Sequence, residues 1–308
     1  MRTQESAQPF DLANDAYEQM TYICSHLDTL RQSSSQEDWS GPLRAKMRAS
    51  EWLPFAHLCP FTKRSFEKPR GYAGDAVILD YIYGIETTES PFPSGRAQEV
   101  YEFTRNSPAC RAVRYRRSLI AQLVDEAALQ RKAPSILSVA AGHLREFDLS
   151  LMAQRHALGR WVALDQDKLS VDVINENYGK AGVSGELGSV RDLLVGNKRY
   201  SGFDFVYAAG LFDYLPDDVA RRLITVMEGM LNPGGRLLVA NFLPAIFDAG
   251  YMETFMDWHL IYRNEDDMLA LFEKGLFEND AVKMLRDPDH NIVFAIATKA
   301  EQSIHGVE

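Results

Sequence analysis

The sequence predicts an α/β protein: a doubly wound, mainly parallel sheet with helices on both faces, preceded by a helical N-terminal region. Three observations predict it. From Pro134 onward, short apolar runs alternate with amphipathic ones in a β-α-β-α order. Residues 1–132 show helical periodicity and almost no β-rich run, so the division expected is 1–132 helical and 133–308 sheet-forming. The last apolar stretch reads as two strands joined by a turn, which adds an antiparallel strand to one side of the sheet.

The elements follow in order. Residues 10–33 place Leu12, Tyr17, Met20, Ile23, Cys24, Leu27 and Leu30 near one helical stripe. SSSQEDWSGP (33–42) reads as a polar break, and LRAKMRASEWLPF as a short helix ending before Pro54. CPFTKRSFEKPRGYAGD (59–75) reads as a loop, and AVILDYIYG as a helix or apolar turn capped by Gly84. One or two helices over AQEVYEFTRNSPACRAVRYRRSLIAQLVDEAALQ lead into the second half. There, strands are expected in SILSVAAG (135–142), RWVALDQD (160–167), SGELGSVRDLL (184–194), FDFVYAAGLFDYL (203–215), RLLVANFLP (236–244) and, as a hairpin, AVKMLRDPDHNIVFAIATK (281–299). Helices are expected in HLREFDLSLMAQ, LSVDVINENYG, DDVARRLITVMEGMLNPGG and DDMLALFEKGLF between them.

Composition narrows the function. Lys and Arg number 33 against 43 Asp and Glu, a formal charge of −10, which repels phosphate backbones and argues against nucleic acid. RAVRYRR (111–117) is the one basic run, read as a solvated helix face. No run approaches the roughly 18 apolar residues of a membrane span. The N-terminus lacks the apolar segment of a secretory signal, so a cytoplasmic protein without membrane contact is expected. Cys24, Cys59 and Cys110 form no metal or disulfide pattern; reduced, buried thiols and no metal are expected.

In a doubly wound sheet, ligands sit outside the carboxyl ends of the strands. The first strand ends in Ala140, Ala141, Gly142 and His143, with Arg145 and Glu146 beyond; the second in Asp165, Gln166 and Asp167. The third ends near Ser189, Val190, Arg191 and Asp192; the fourth in Ala208, Ala209, Gly210 and Leu211; the fifth in Asn241 and Phe242. Small residues after the first strand permit a tight turn and close approach of a ligand. Asp165, 23 positions after Gly142, suits ribose hydroxyls. The glycines are too few for GxGxxG, so a nucleoside without phosphates fits better than a dinucleotide.

Five segments, KPRGYAGD (68–75), LSVAAGHLRE (137–146), YAAGLFDYLPD (207–217), LNPGGRLLVANF (231–242) and YMETFMDWHLIYR (251–263), resemble class I S-adenosylmethionine-dependent methyltransferases. More narrowly, they resemble the bacterial branch tied to biosynthesis of 3-hydroxypalmitic acid methyl ester, over residues 60–299. The resemblance implies a seven-stranded sheet with the last strand antiparallel, an N-terminal helical cap and S-adenosylmethionine as cofactor. It implies cofactor contacts at Gly142 and Asp165, with the strand-end residues Ala141, Gln166, Ala209 and Gly210 beside them. Val190, Arg191 and Asp192 fall at the adenine edge. The class carries an acid at the end of the first strand; here Ser138 and Ala140 stand in that region, and Glu146 or the GYAGD loop takes over the task.

Tyr72 either meets the cofactor's sulfonium, which an aromatic face attracts, or packs; Asp75 beside it reads as a helix cap. His143 is either a base toward the acceptor or a hydrogen-bonding scaffold residue. Tyr251, Phe255, Trp258 and Tyr262 share a stripe at helical spacing, and with Asn241 they form an acceptor wall or core. Arg263 either pairs with an acceptor carboxylate or forms a surface ion pair with Glu265 or Asp266. The activity implied is methyl transfer to a small molecule, with a carboxylate acceptor needing no base because it is already ionised, in secondary-metabolite or signal biosynthesis. The alternatives are closure of the cofactor's own amino-acid portion to an azetidine ring, releasing methylthioadenosine, and a non-catalytic sensor. Oligomeric state is not readable from the sequence.

Overall fold

The computed structural model describes residues 15–272, 277 and 281–301. The N-terminal residues 1–14, where the absent signal and the start of the first helix were read, lie outside them, as do residues 273–276 of the helix expected over 266–277. The chain groups into two compact units that do not follow a single cut at 132: one of residues 15–74, Glu86–Ser107 and Phe247–His259, the other of Asp75–Ile85, Pro108–Ile246 and residues 260–301.

The first unit is helical. Its longest helix, Ala16–Ser33, starts at Asp15, whose side chain accepts from the Tyr17 N–H, and buries Met20, Ile23, Cys24 and Leu27. Against it lies the Ala249–Phe255 helix. A Cβ at Gly250 would fall 2.8 Å from the Leu27 carbonyl oxygen, so this approach requires glycine. The expected polar break at 33–42 is helical instead: Gln36–Asp38 runs into a wide turn over Trp39–Leu43. Trp39 is buried there and donates to Glu253 Oε2 at 2.5 Å, an anchor that hydropathy does not display. Pro54 lies within the Trp52–Ala56 helix rather than after it, because a first-turn N–H has no helical partner to lose. For the same reason Pro60 opens a helix, Pro60–Glu67, where a loop was expected. Asp257 binds Arg48 at 2.8 Å and also Lys68; burial would raise its pKa, but these cations outweigh it and hold the carboxyl well below its usual range.

The second unit holds a seven-stranded sheet. Its strands are β1 Ser135–Val139, β2 Arg160–Asp165, β3 Val183–Leu187, β4 Phe203–Ala208, β5 Leu231–Phe242, β6 Val282–Arg286 and β7 Ile292–Thr298. They lie in the order β3-β2-β1-β4-β5-β7-β6. β1 to β5 pair in parallel, and β7 runs antiparallel to both β5 and β6. Every strand expected from the sequence is present. One face packs Leu137, Val139, Val162, Leu164 and Val206 with Leu223, Ile224 and Met227 of the Asp217–Gly229 helix. On the other face Arg236 bonds the Leu123 carbonyl and Glu126 of the Pro108–Gln130 helix.

Two boundaries differ. The Asp217–Gly229 helix stops before the Pro-Gly-Gly, which lies within β5 at a register shift against β4. Arg131 holds this irregularity by donating to the Pro233 carbonyl and to Asp204. The helix expected after β1 is a 3-10 turn, Arg145–Leu149, followed by a short helix, Leu151–Gln154. Ser150 and Asp125 take the N–H groups of the second, which breaks the two apart. No helix among the described residues is long and apolar enough to cross a membrane.

Candidate functional site

β1 lies between β2 and β4, so their carboxyl ends are neighbours. The turn after β1 holds Ala140, Gly142 and Leu144 at φ 57°, 58° and 54°. Three alternate residues in the left-handed region are what a glycine-rich turn provides, yet two of them carry side chains. Each such residue costs about 1–2 kcal/mol, strain of the kind retained at functional sites. Asp165 at the end of β2 fixes the turn: Oδ2 accepts from the Gly142 N–H and Oδ1 from the Asp167 N–H, each at 2.8 Å. Burial pushes its pKa up, and the two N–H groups partly offset this. A carboxylate offers about four lone-pair sites, so capacity for ligand hydroxyls is left. Ala141 and Gly142 are half-buried at this turn and Gln166 is exposed.

Behind the turn lies a buried ionic cluster. Asp75 caps the Ala76–Tyr83 helix by accepting from the Val77 and Ile78 N–H groups at 3.1 Å. That helix carries Asp80, which is fully buried. Arg145 reaches it with Nε at 2.7 Å and Nη2 at 2.8 Å, and His143 with Nδ1 at 2.8 Å. Burial would raise the Asp80 pKa, but the hydrogen bonds from Arg145 and His143 prevail and lower it. Since an ionised carboxylate only accepts, His143 carries a proton on Nδ1. Of its two expected roles, bonding to a neighbouring element is the one the geometry displays. Glu146 is buried and accepts from the Tyr207 hydroxyl at 2.5 Å; burial raises its pKa and that hydroxyl only partly offsets it.

The basic run does not form a solvated face. Ala112, Val113, Arg116, Leu119, Ile120 and Leu123 share the buried side of the Pro108–Gln130 helix. Arg116 is 6% exposed and donates through Nη1 to the Ala209 carbonyl at 2.7 Å. A Cβ at the exposed Gly210 would meet its Nη2 at 3.5 Å. Arg117 donates to the Arg145 carbonyl and covers the Tyr83 ring at 4.8 Å.

At the end of β5 the expectation for Arg263 is overturned. Its Nε and Nη2 donate to Asp217, Nη2 also to the Leu215 carbonyl, and Nη1 to the Phe212 carbonyl and Asn241 Oδ1. All five guanidinium N–H groups are used within the protein, leaving none for an acceptor, and its ion partner is neither Glu265 nor Asp266. Asn241 is likewise occupied, donating to the Phe242 and Ile261 carbonyls.

The helical stripe over 251–263 is also overturned. The helix ends at Phe255, and Asp257 turns left-handed at φ 47°. Tyr251, its hydroxyl 3.0 Å from the Thr62 hydroxyl, and Trp258 are buried in the first unit. Tyr262, half-buried, is in the second. Tyr72 is half-buried in the first unit. After β3, Asp192 accepts from the Ser189 hydroxyl and N–H in the capping box of the Val190–Leu194 helix. Those bonds lower its pKa to about 2, and Arg191 is exposed.

Sequence reasoning gave no role to Asp80 and misread Arg116. Both carried a signal. Asp80 is the lone charge in AVILDYIYG, and Arg116 sits three and four residues from Val113, Ala112, Leu119 and Ile120, on the apolar stripe.

No family model matches the chain, and neither does any curated protein. Solved structures do. A possible exported protein from Bordetella parapertussis is 16% identical over 96% of this chain and 99% of that one, with a TM-score of 0.61. The S-adenosylmethionine-dependent methyltransferase SibL is 17% identical over 85% of this chain and 78% of that one, with a TM-score of 0.50. At such identity the likeness speaks to architecture: the chain has the seven-stranded Rossmann-like fold of class I methyltransferases, with a helical region N-terminal to the sheet.

Proposed function

We propose that this protein is an S-adenosylmethionine-dependent methyltransferase acting on a small-molecule acceptor. The observation that carries the reading is the strained turn after β1, closed by Asp165 from the end of β2. The residues suit a nucleoside without phosphates. Asp165 retains lone pairs for ribose hydroxyls, and the turn offers backbone where a dinucleotide would need more glycine. Bound there, the cofactor supplies a methyl group already activated by its sulfonium. The chain's own residues then bind and align. Asp165 orients the ribose, the turn after β1 keeps its shape through Asp80, Arg145 and His143, and the Ala209–Gly210 backbone lines the end of β4. Catalysis by alignment needs no acid–base dyad when the acceptor is an ionised carboxylate. That chemistry matches the carboxyl-methylating branch the sequence resembles.

Calorimetric titration with S-adenosylhomocysteine tests the reading. Asp165→Ala should weaken binding by about 1–3 kcal/mol, the size of a lost hydrogen bond to a charged group. Unchanged affinity would remove Asp165 from the site.

A second reading is favoured by one observation: Ser138 stands where the class carries an acid, and Glu146 is engaged by Tyr207. With no acid holding it, the cofactor's amine is able to attack its own γ-carbon. The C–N bond forms as the C–S bond breaks, the amine sheds a proton, and methylthioadenosine leaves with the electron pair. Incubation with S-adenosylmethionine alone separates the two. Methylthioadenosine indicates ring closure, whereas S-adenosylhomocysteine formed only with an acceptor indicates methyl transfer.

A further inference from the structure

We infer that Arg116 is the receptor for a ligand carboxylate at the carboxyl end of β4. The inference rests on the proposed cofactor site and extends it to a residue outside the strand ends.

Arg116 lies on the apolar stripe of the Pro108–Gln130 helix and is 6% exposed. A buried guanidinium is ordinarily matched by a carboxylate, because an unmatched buried charge is costly. The other buried arginines of this unit obey that rule: Arg145 holds Asp80, and Arg263 holds Asp217. Arg116 has no carboxylate within ion-pair distance among the described residues. Its hydrogen-bond partners are the Ala209 carbonyl and the Tyr83 hydroxyl, both neutral. Glu146 and Asp213 act on it only through space, at longer range than an ion pair. A cation held in this way has capacity for an anion.

The place is suited to a ligand. Gly210 is exposed, and the nearest atoms to a Cβ built on it are the Arg116 guanidinium nitrogens and carbon, at 3.5–3.8 Å. A single fork, with Arg117 already committed to the Arg145 carbonyl and the Tyr83 ring, matches one planar monoanion better than a phosphate dianion. The carboxylate has two sources of the same chemistry: the amino-acid portion of the cofactor, or the acceptor.

The test is calorimetry on the full chain and its Arg116→Gln and Arg116→Lys variants. S-adenosylhomocysteine carries the carboxylate and methylthioadenosine lacks it. If the cofactor is the source, Arg116→Gln weakens S-adenosylhomocysteine by about 10- to 100-fold while methylthioadenosine changes less than about twofold. Arg116→Lys, which keeps the charge without the fork, falls between. If the acceptor is the source, S-adenosylhomocysteine binds both chains alike. With it saturating, octanoate binds the wild-type chain in preference to octanol, and Arg116→Gln abolishes that preference. The inference is overturned if Arg116→Gln keeps both preferences, or weakens the two nucleosides equally, which marks a loop-bracing residue. A wild-type chain that binds neither nucleoside removes the cofactor reading and this inference together.

Discussion

Two arginines, at the ends of neighbouring strands, differ in a way their positions do not reveal. At β5, Arg263 spends every N–H on the protein, including a carboxylate. At β4, Arg116 is bound to a carbonyl and a hydroxyl with no counter-charge at contact distance. Both are buried, and both lie where a doubly wound sheet places ligands. The accounting of donors separates a residue that builds the fold from one prepared for a guest.

The largest effect expected is on stability at the β5 end. Arg263→Ala leaves Asp217 and three polar groups without their partner and should cost about 3–5 kcal/mol in thermal or denaturant unfolding. Arg116→Gln removes a charge that no carboxylate meets at contact distance, so its stability should change by less than about 1 kcal/mol. Similar losses from the two would erase the contrast.

Asp80 tests a third position, where one carboxylate serves Arg145 and His143 together. Asp80→Asn should cost about 2–4 kcal/mol near neutrality. Because its folded pKa is lowered, its contribution is fully present above the ordinary carboxyl value of about 3.9 and is lost as pH falls through the folded value. The variant's stability should therefore vary less in acid than the wild type's; parallel acid-unfolding curves would contradict this.

Asp213 is the opposite case. Burial, partly offset by the Phe242 N–H, pushes its pKa up to about 6. The folded state then binds more protons than the unfolded one between about pH 4 and 6, and stability falls as pH rises through that window. Asp213→Asn should flatten this fall, a change on the order of 2 kcal/mol across the window. An unchanged slope would show that the acid ionises freely.

The smallest effect belongs to the turn after β1. Ala140→Gly should stabilise by at most about 1 kcal/mol, since glycine accepts the left-handed region without penalty but loses more chain entropy. A clear loss of stability would mean that the alanine methyl packs where the backbone alone does not.

The sheet was legible because four of the five parallel strands are buried apolar runs and the final hairpin has its own turn residues. Of the candidate site, the meeting of Gly142 and Asp165 was legible, because both stand at the ends of neighbouring strands. Arg263 misled because its occupancy is set by Phe212, Leu215 and Asp217, some fifty positions away in sequence. The stripe over 251–263 misled because spacing cannot register the left-handed Asp257 that ends it. Pro42, Pro54 and Pro60 were read as breaks, whereas each lies in a helical turn.

The discontinuity of both units bears on how the chain is made. A ribosome releases Asp80 65 residues before Arg145, so the carboxylate must stay hydrated until β1 and its turn have emerged. The helices synthesised first wait longer still: Glu253 and Asp257, which neutralise Arg31, Arg48 and Lys68, follow only after β5. The amino-terminal unit is thus completed only once Phe247–His259 has followed β5, and a nascent chain halted before Phe247 would display its apolar helices with their cations unmatched, a natural client for a chaperone.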